Sequence, residues 1–423
     1  MPADVLPLRP PAPAASPEQR LPGFERVRAG AMLLVVAFHA ALPYASAELP
    51  GLLWATPVHG EVGRPAGVVA DPLFWACEAV IMPLFFAMSG WFSGSLGSRK
   101  SPEEFVSGRV RRVLVPLCVG VVTVVGVSFV IWSISFPLTG RATWREFRRF
   151  NFDGSIRETL WGPAHLWYLQ YLFLWAMMQV PLDAVVRAAD AGRNAFAARA
   201  LRVVDRVGAS PWRFLLLTGA IGVILAIRPE VYLGFQHGWL PFRAKFLHAG
   251  ACFFYGWLCW RHRASLAAQA KLQWGLAVGA AAACGAAVWL VQRVNAGELP
   301  AEALAVPVGW CTGLTVSAAL LHGAGSVRPA SRLTAWLAGA SFWVYLVHQP
   351  LVGAAQLGLW FVPLPADAKF ALVLCGVTAA CLLAEPLSRR TRWGRLLTGR
   401  PPLASPVAVP DAAPAEEPRR RAA

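Results

Sequence analysis

The chain has 423 residues, of which 56% are hydrophobic and 15% charged, with a mean hydropathy of +0.49 and a formal net charge of +16. That composition excludes an ordinary soluble globular protein of this size. The basic balance does not indicate a nucleic-acid partner either, because the Arg residues fall between long apolar runs instead of forming one face of a soluble domain.

Residues 1–22 are rich in Pro and Ala and lack the charged n-region, apolar h-region and small-residue cleavage site of a secretory signal, so they read as a disordered cytoplasmic tail. Residues 396–423, including PAPAEEPRRR, read the same way, having too little apolar surface to offset ordering entropy. Residues 23–395 then form one domain. A spanning helix needs about 20 largely apolar residues. In chain order this criterion places helices at Val27–Tyr44, Pro72–Gly94, Val113–Phe136, Pro163–Leu182, Arg213–Ile227, Pro241–Trp260, Gln273–Val291, Glu302–His322, Ala335–Phe361 and Lys369–Leu387. The predicted fold is all-α, a polytopic transmembrane bundle of about ten helices. The fifth is short and closed by Pro229. The eight cysteines are scattered, mostly within apolar runs, at no metal-binding spacing, and read as small packing residues.

With the N-terminus inside, 28 of the 39 Lys and Arg fall on the inner side, which predicts both termini in the cytoplasm and a multi-pass protein of a bacterial inner membrane. One outer loop breaks the trend. Residues 137–162 carry Arg141, Arg145, Arg148, Arg149 and Arg157 against Glu146, Asp153 and Glu158, as an interfacial segment or a site for an anionic or polyhydroxylated partner would.

Ionisable groups at membrane depth are costly and mark candidate sites. On the first helix, in RAGAMLLVVAFH, the steps from Arg28 to His39 turn the chain by about 1100°, so both side chains leave one face about 16 Å apart along the axis. The pair suits one elongated substrate, held by Arg28 at its phosphates and reacting beside His39; a thioester on a pantetheine arm has that shape. The plainer alternatives are a positive-inside anchor for Arg28 and a packed, hydrogen-bonded ring for His39. His348 in SFWVYLVHQP falls at a similar depth to His39, with His165 in GPAHLWYLQYL and His248 in KFLHAGACFFYGW farther out; together they predict a polar cavity facing outward. His59, His237, His262 and His322 sit in loops or at helix ends and receive no role. In MPLFFAMSGWFSG, Ser89 and Gly90 form either a packing notch or a close approach for substrate. Glu385 lies near the depth of Arg28 and is a candidate, with Glu25, for holding its guanidinium. Glu78 sits on the second helix with no evident partner.

These segments, in this order, resemble the acyltransferase 3 family of membrane proteins: the Arg28 to His39 spacing, FFAMSGWF, HLWYLQYL, SFWVYLVHQP and AEPLSRR. The resemblance spans most of Gly23 to Trp393. Within it, MPLFFAMSGWFSG, KFLHAGACFFYGWLCWR and HAALPY are most similar to the glucans biosynthesis protein C branch, associated with succinyl transfer to osmoregulated periplasmic glucans. Departures are small: Trp91 and Ala87 replace other apolar residues, and Glu25 a frequent Asp.

The resemblance implies O-acyl transfer from a cytoplasmic acyl-CoA co-substrate to a carbohydrate acceptor across the lipid bilayer; no bound cofactor is expected, and residue spacing and charge distribution predict no metal and no nucleic acid. It also implies that Arg28 and His39 are required for activity; the reading of depth and spacing adds His348, His165, His248, Ser89 and Glu385 as candidate substrate contacts. The competing reading is a transporter or flippase for a glycan or lipid-linked intermediate, using the same histidines as a proton path; the absence of internal repeats counts against it. A purely structural subunit would instead leave the histidines dispensable.

Overall fold

The structure is a computed structural model and describes residues 21–47, 49–51, 53–235 and 238–400. Residues 1–20 and 401–423, read as tails, and His237 lie outside the described residues. Among the described residues there is no β-strand. A helix stands at each of the ten predicted spans: α1 (Pro22–Ala41), α2 (Ala70–Gly97), α3 (Pro102–Leu138), α6 (Trp167–Asp190), α8 (Phe214–Ile227), α10 (Arg243–Arg261), α12 (Gln273–Asn295), α13 (Ala305–Gly325), α14 (Arg332–Leu359) and α15 (Ala366–Arg390). Shorter helices are α4 (Trp144–Arg149) and α5 (Gly154–Leu160) in the basic loop, α7 (Ala195–Ala209), α9 (Glu230–Leu233), α11 (Arg263–Ala268) and α16 (Arg392–Thr398).

Seven of these are long and apolar enough to cross a membrane: α1, α2, α3, α6, α12, α13 and α15. The pair α7–α8, bent by 101° at Ser210, makes an eighth if it counts as one span. The count of ten includes α10 and α14, with 19 and 28 residues, whose apolar character is diluted by Lys245 and His248 on one and by His348, Gln349 and Gln356 on the other. Those side chains face protein instead of lipid, which is where polar groups in a bundle belong. The chain is therefore a multi-pass membrane protein.

The helices sort into a centre and a rim. In α1, α13 and α2 the buried share of the apolar window is 72%, 67% and 61%, against 17%, 22% and 28% in α12, α3 and α15. Rim helices present Val122, Val130, Val278 and Leu383 outward, an apolar belt suited to lipid tails. At the centre, α2 and α10 cross at backbone contact: a Cβ on Gly90 would stand 1.8 Å from the Phe253 carbonyl oxygen, and one on Gly256 1.8 Å from that of Ala87. Gly90 is thus the packing notch of the second helix.

Three local features shape the site. Helix α1 opens with Pro22 in its first turn and ends where Pro43, in a 3-10 turn over Leu42–Tyr44, cannot continue the ladder. Helix α3 is interrupted by π-turns at Val110–Leu114 and Val121–Val125. Beyond the last span, α16 and Arg400 pack back on α15, so ordered structure continues past the predicted boundary at residue 395.

Candidate active site

Helices α1 and α14 lie side by side, and the shared face of Arg28 and His39 is turned toward α14. Arg28 donates to Ser341 Oγ at 2.9 Å, and His39 meets His348 seven residues farther along. Seven residues are close to two helical turns, so one face of α14 serves both partners. Neither side chain points into lipid, and His39 is almost fully buried.

The hydrogen bonds around His39 assign its tautomer. Nδ1 of His348 lies 2.8 Å from the Tyr345 carbonyl oxygen and 3.1 Å from that of Val344; both are acceptors, so this nitrogen carries the proton. Nε2 of His348 is then a lone pair. It faces Nδ1 of His39 at 3.1 Å, which also lies 2.9 Å from the Val35 carbonyl oxygen. Nδ1 of His39 must therefore be the donor, shared between two acceptors, and the proton-free nitrogen of His39 is Nε2. Among the described residues Nε2 has no hydrogen-bond partner, so its lone pair is available to a hydroxyl. The end of α1 is fixed by Gln356, whose Nε2 donates to the carbonyl oxygens of His39 and Ala40 while its Oε1 accepts from the Trp54 indole at 2.5 Å. Trp54 packs on His39 with ring centroids 5.7 Å apart.

His165 joins this group: its ring centroid is 5.3 Å from that of His348. Its Nδ1 meets Gln349 Oε1 at 2.8 Å and its Nε2 meets the Leu346 carbonyl oxygen at 3.0 Å, while Tyr345 Oη donates to its backbone oxygen. With both ring nitrogens of His165 and of His348 engaged, these two residues hold His39 and its surroundings in place. The lone pairs of the three rings do not converge, and among the described residues no His, Cys, Asp and Glu group is placed to hold a metal ion.

At the Arg28 end a second guanidinium appears that sequence reasoning assigned only to orientation. Arg109 stands just before the first π-turn of α3, with Nε and Nη2 buried and unbonded among the described residues. Tyr168 is the common electrostatic neighbour of Arg28 and Arg109, and its hydroxyl bonds Ser89 Oγ at 2.7 Å. Ser89 is thus turned toward the two guanidiniums, while Gly90 serves helix packing. Two cations, two hydroxyls and unfilled donor valences are groups able to meet the charge and lone pairs of an anion.

Two candidates are placed elsewhere. Glu385 does not hold Arg28: it is buried against Arg389 Nε at 2.8 Å and Arg400 at 3.2 Å, because the returning C-terminal segment brings a guanidinium closer than α1 does. Arg28 keeps Glu25, one turn earlier, as its acidic neighbour. His248 does not join the other histidines in one cavity. It lines a separate space of about 30 Å³ with Glu78, Tyr232 and Lys245, room for one or two waters. Lys245 supplies the counter-charge of Glu78 that the sequence did not reveal.

Sequence reasoning missed Gln349, Gln356, Trp54 and Arg109. The one signal present was HQP followed by a second Gln seven residues later, which sets Gln349 and Gln356 on one stripe of α14. The profile of a family described as an acyltransferase domain, of the acyltransferase 3 type, matches residues 21–385, nearly all of the described bundle. No curated protein and no solved structure matches the chain.

Proposed function

Given that the chain belongs to the acyltransferase 3 family and is an acyltransferase, we propose that it transfers an acyl group from an acyl-CoA at the Arg28 end of the bundle to a hydroxyl of an envelope glycan at the His39 end. The observation that carries this reading is the hydrogen-bond order at His39, with Nδ1–H shared by His348 and Val35 and Nε2 left open. Arg28 and Arg109 would bind the donor's phosphates through charge-assisted hydrogen bonds, and the pantetheine arm would run along α1 for about 16 Å to reach His39.

The step then balances. Nε2 of His39 takes the proton of the acceptor hydroxyl as its oxygen bonds to the thioester carbonyl carbon. The C–S bond breaks, and the departing thiolate receives that proton from the imidazolium, leaving ester and free thiol with the ring restored. His348 Nε2 and the Val35 carbonyl accept from Nδ1–H throughout, so the imidazolium forms without reorganising its surroundings. Catalysis by a base placed this way is worth about 10²–10⁴-fold. On the finer level we assign succinyl or acetyl as the acyl group, an osmoregulated periplasmic glucan as acceptor and the bacterial inner membrane as the site, on the branch resemblance of MPLFFAMSGWFSG and KFLHAGACFFYGWLCWR. Family membership favours this chemistry over the transport reading.

The test is purified protein in nanodiscs with radiolabelled succinyl- or acetyl-CoA and periplasmic glucan. Label joined to glucan and released by hydroxylamine is the expected result. Transport of glucan across proteoliposomes with no ester formed from either donor would overturn the proposal.

A further inference from the structure

On the side of the His39 group away from Arg28, a cleft opens between α3, the loop before α6 and the segment that follows α1. It is open on one side, and its space for water amounts to about 40 Å³, room for one or two waters. Trp54, Ser128, Trp132, Thr159 and Gln349 line it, with Phe129 at the wall, and among the described residues no charged side chain does.

Two departures from regular structure and one aromatic pair converge on this one wall. Val125, which closes the second π-turn of α3, lines the cleft. So does Ala164, a non-glycine residue at φ 48°, immediately before His165. A π-turn and a left-handed alanine each cost conformational energy, and such features persist where a wall must be aimed at something. The third is the indole pair, Trp54 edge-on to Trp132 at 4.9 Å, seated where Gly353 leaves space: a Cβ there would stand 2.5 Å from the Trp132 ring.

The cleft is wired to the reacting end. Trp54 both lines it and packs on His39, and Gln349 both lines it and holds His165 Nδ1. Its chemistry is also the opposite of the Arg28 end: indole and phenyl faces with an amide and two hydroxyls, none of them charged. Apolar faces with a few fixed polar groups suit a neutral polyhydroxylated ring, whose C–H faces rest on aromatics while its hydroxyls find amide and hydroxyl partners. They do not suit a phosphorylated donor.

Resting on the acyl-transfer reading above, we propose that this cleft between Trp54, Ser128, Trp132 and Gln349 is the acceptor site, which takes a sugar ring at its mouth and admits one hydroxyl of that ring into its depth toward His39.

The probe is a β-linked glucose oligosaccharide of three to six units. In nanodiscs, its binding by equilibrium dialysis is measured without donor, and KM for oligosaccharide and for acyl-CoA are measured separately. Ser128→Leu fills the depth, and the milder Phe129→Ala strips the mouth without crowding the core. We expect oligosaccharide affinity to fall at least tenfold in Ser128→Leu and several-fold in Phe129→Ala, with KM for acyl-CoA unchanged in both. Oligosaccharide that does not bind wild type, or that binds both variants like wild type, overturns the acceptor site. Binding that the variants abolish, in a protein that forms no ester, would sustain the cleft as a sugar site and sink the acyl-transfer reading instead.

Discussion

Two of the groups of buried titratable side chains among the described residues are built on different principles. In one, His39 and His348 share a hydrogen bond, His165 packs on His348, and the three rings otherwise bond backbone carbonyls and the Gln349 amide, with no carboxylate or ammonium among them. In the other, Glu78 and Lys245 oppose each other across a water-sized cavity that His248 also lines. The second group offsets its own charge. The first is neutral only while His39 keeps a bare nitrogen, and a bare nitrogen held in one orientation is a reagent. Burial of a histidine in a membrane is therefore not a mark of chemistry; what its other nitrogen is doing is the discriminating question.

The largest effect should follow removal of that nitrogen. His39→Ala is expected to lower acyl transfer by about 10²–10⁴-fold while the protein stays monodisperse and helical by size exclusion and circular dichroism. A near-normal rate in labelled-ester assays would erase the distinction between the two groups. Next comes the Arg28 end. Arg109→Ala removes a guanidinium whose Nε and Nη2 are unbonded, so thermal stability should hold or rise while KM for acyl-CoA increases roughly tenfold or more, as loss of a charge-assisted contact predicts. A drop in the unfolding midpoint with unchanged KM would make Arg109 a structural residue.

How far this was legible in the sequence differs between the two groups. Arg28 and His39 share one helix, so the 3.6-residue period alone fixes their common face, and α14 receives both. The depth of His348 followed from its distance along α14. What turns these residues into an ordered chain did not follow, because the direction of each hydrogen bond depends on carbonyls of Tyr345 and Val35 that only the packed structure supplies. Grouping His248 with the others failed for the same reason: depth places a residue along the membrane normal and says nothing of its azimuth. Glu385 was matched to Arg28 by depth too, and a guanidinium from beyond the predicted domain end reached it first. Gln349 and Gln356 carry no charge, so a search for ionisable groups passed over the amides that hold His165 and the end of α1. Arg109 was absorbed into the count of inner-side cations.

A sharper test separates touching the substrate from holding the residue that touches it. His348 is a positioning residue, whose Nε2 accepts from His39. His348→Ala should reduce kcat roughly tenfold, the cost of one lost hydrogen bond on the reacting ring, with KM for both substrates unchanged. His348→Gln, which returns an acceptor oxygen near the former Nε2, should recover a large part of the loss. Equal damage from Ala and Gln would mean that the imidazole matters for packing alone.

The smallest effect on chemistry belongs to the charged cavity, where stability should respond instead. His248→Ala is expected to change the transfer rate within about threefold, under ~1 kcal/mol of barrier. Glu78→Gln deprives Lys245 of that counter-charge, which should cost about 3–5 kcal/mol and lower the unfolding midpoint in nanodiscs with little change in kcat. If charge balance is the reason, Glu78→Gln combined with Lys245→Met should be more stable than Glu78→Gln alone, since the double variant buries neither charge without the other. Should the double variant instead lose acyl transfer while remaining folded, the cavity would be part of the reaction path, and the line drawn between the two buried groups would have to be redrawn through Tyr232 and Trp167, which also line that space.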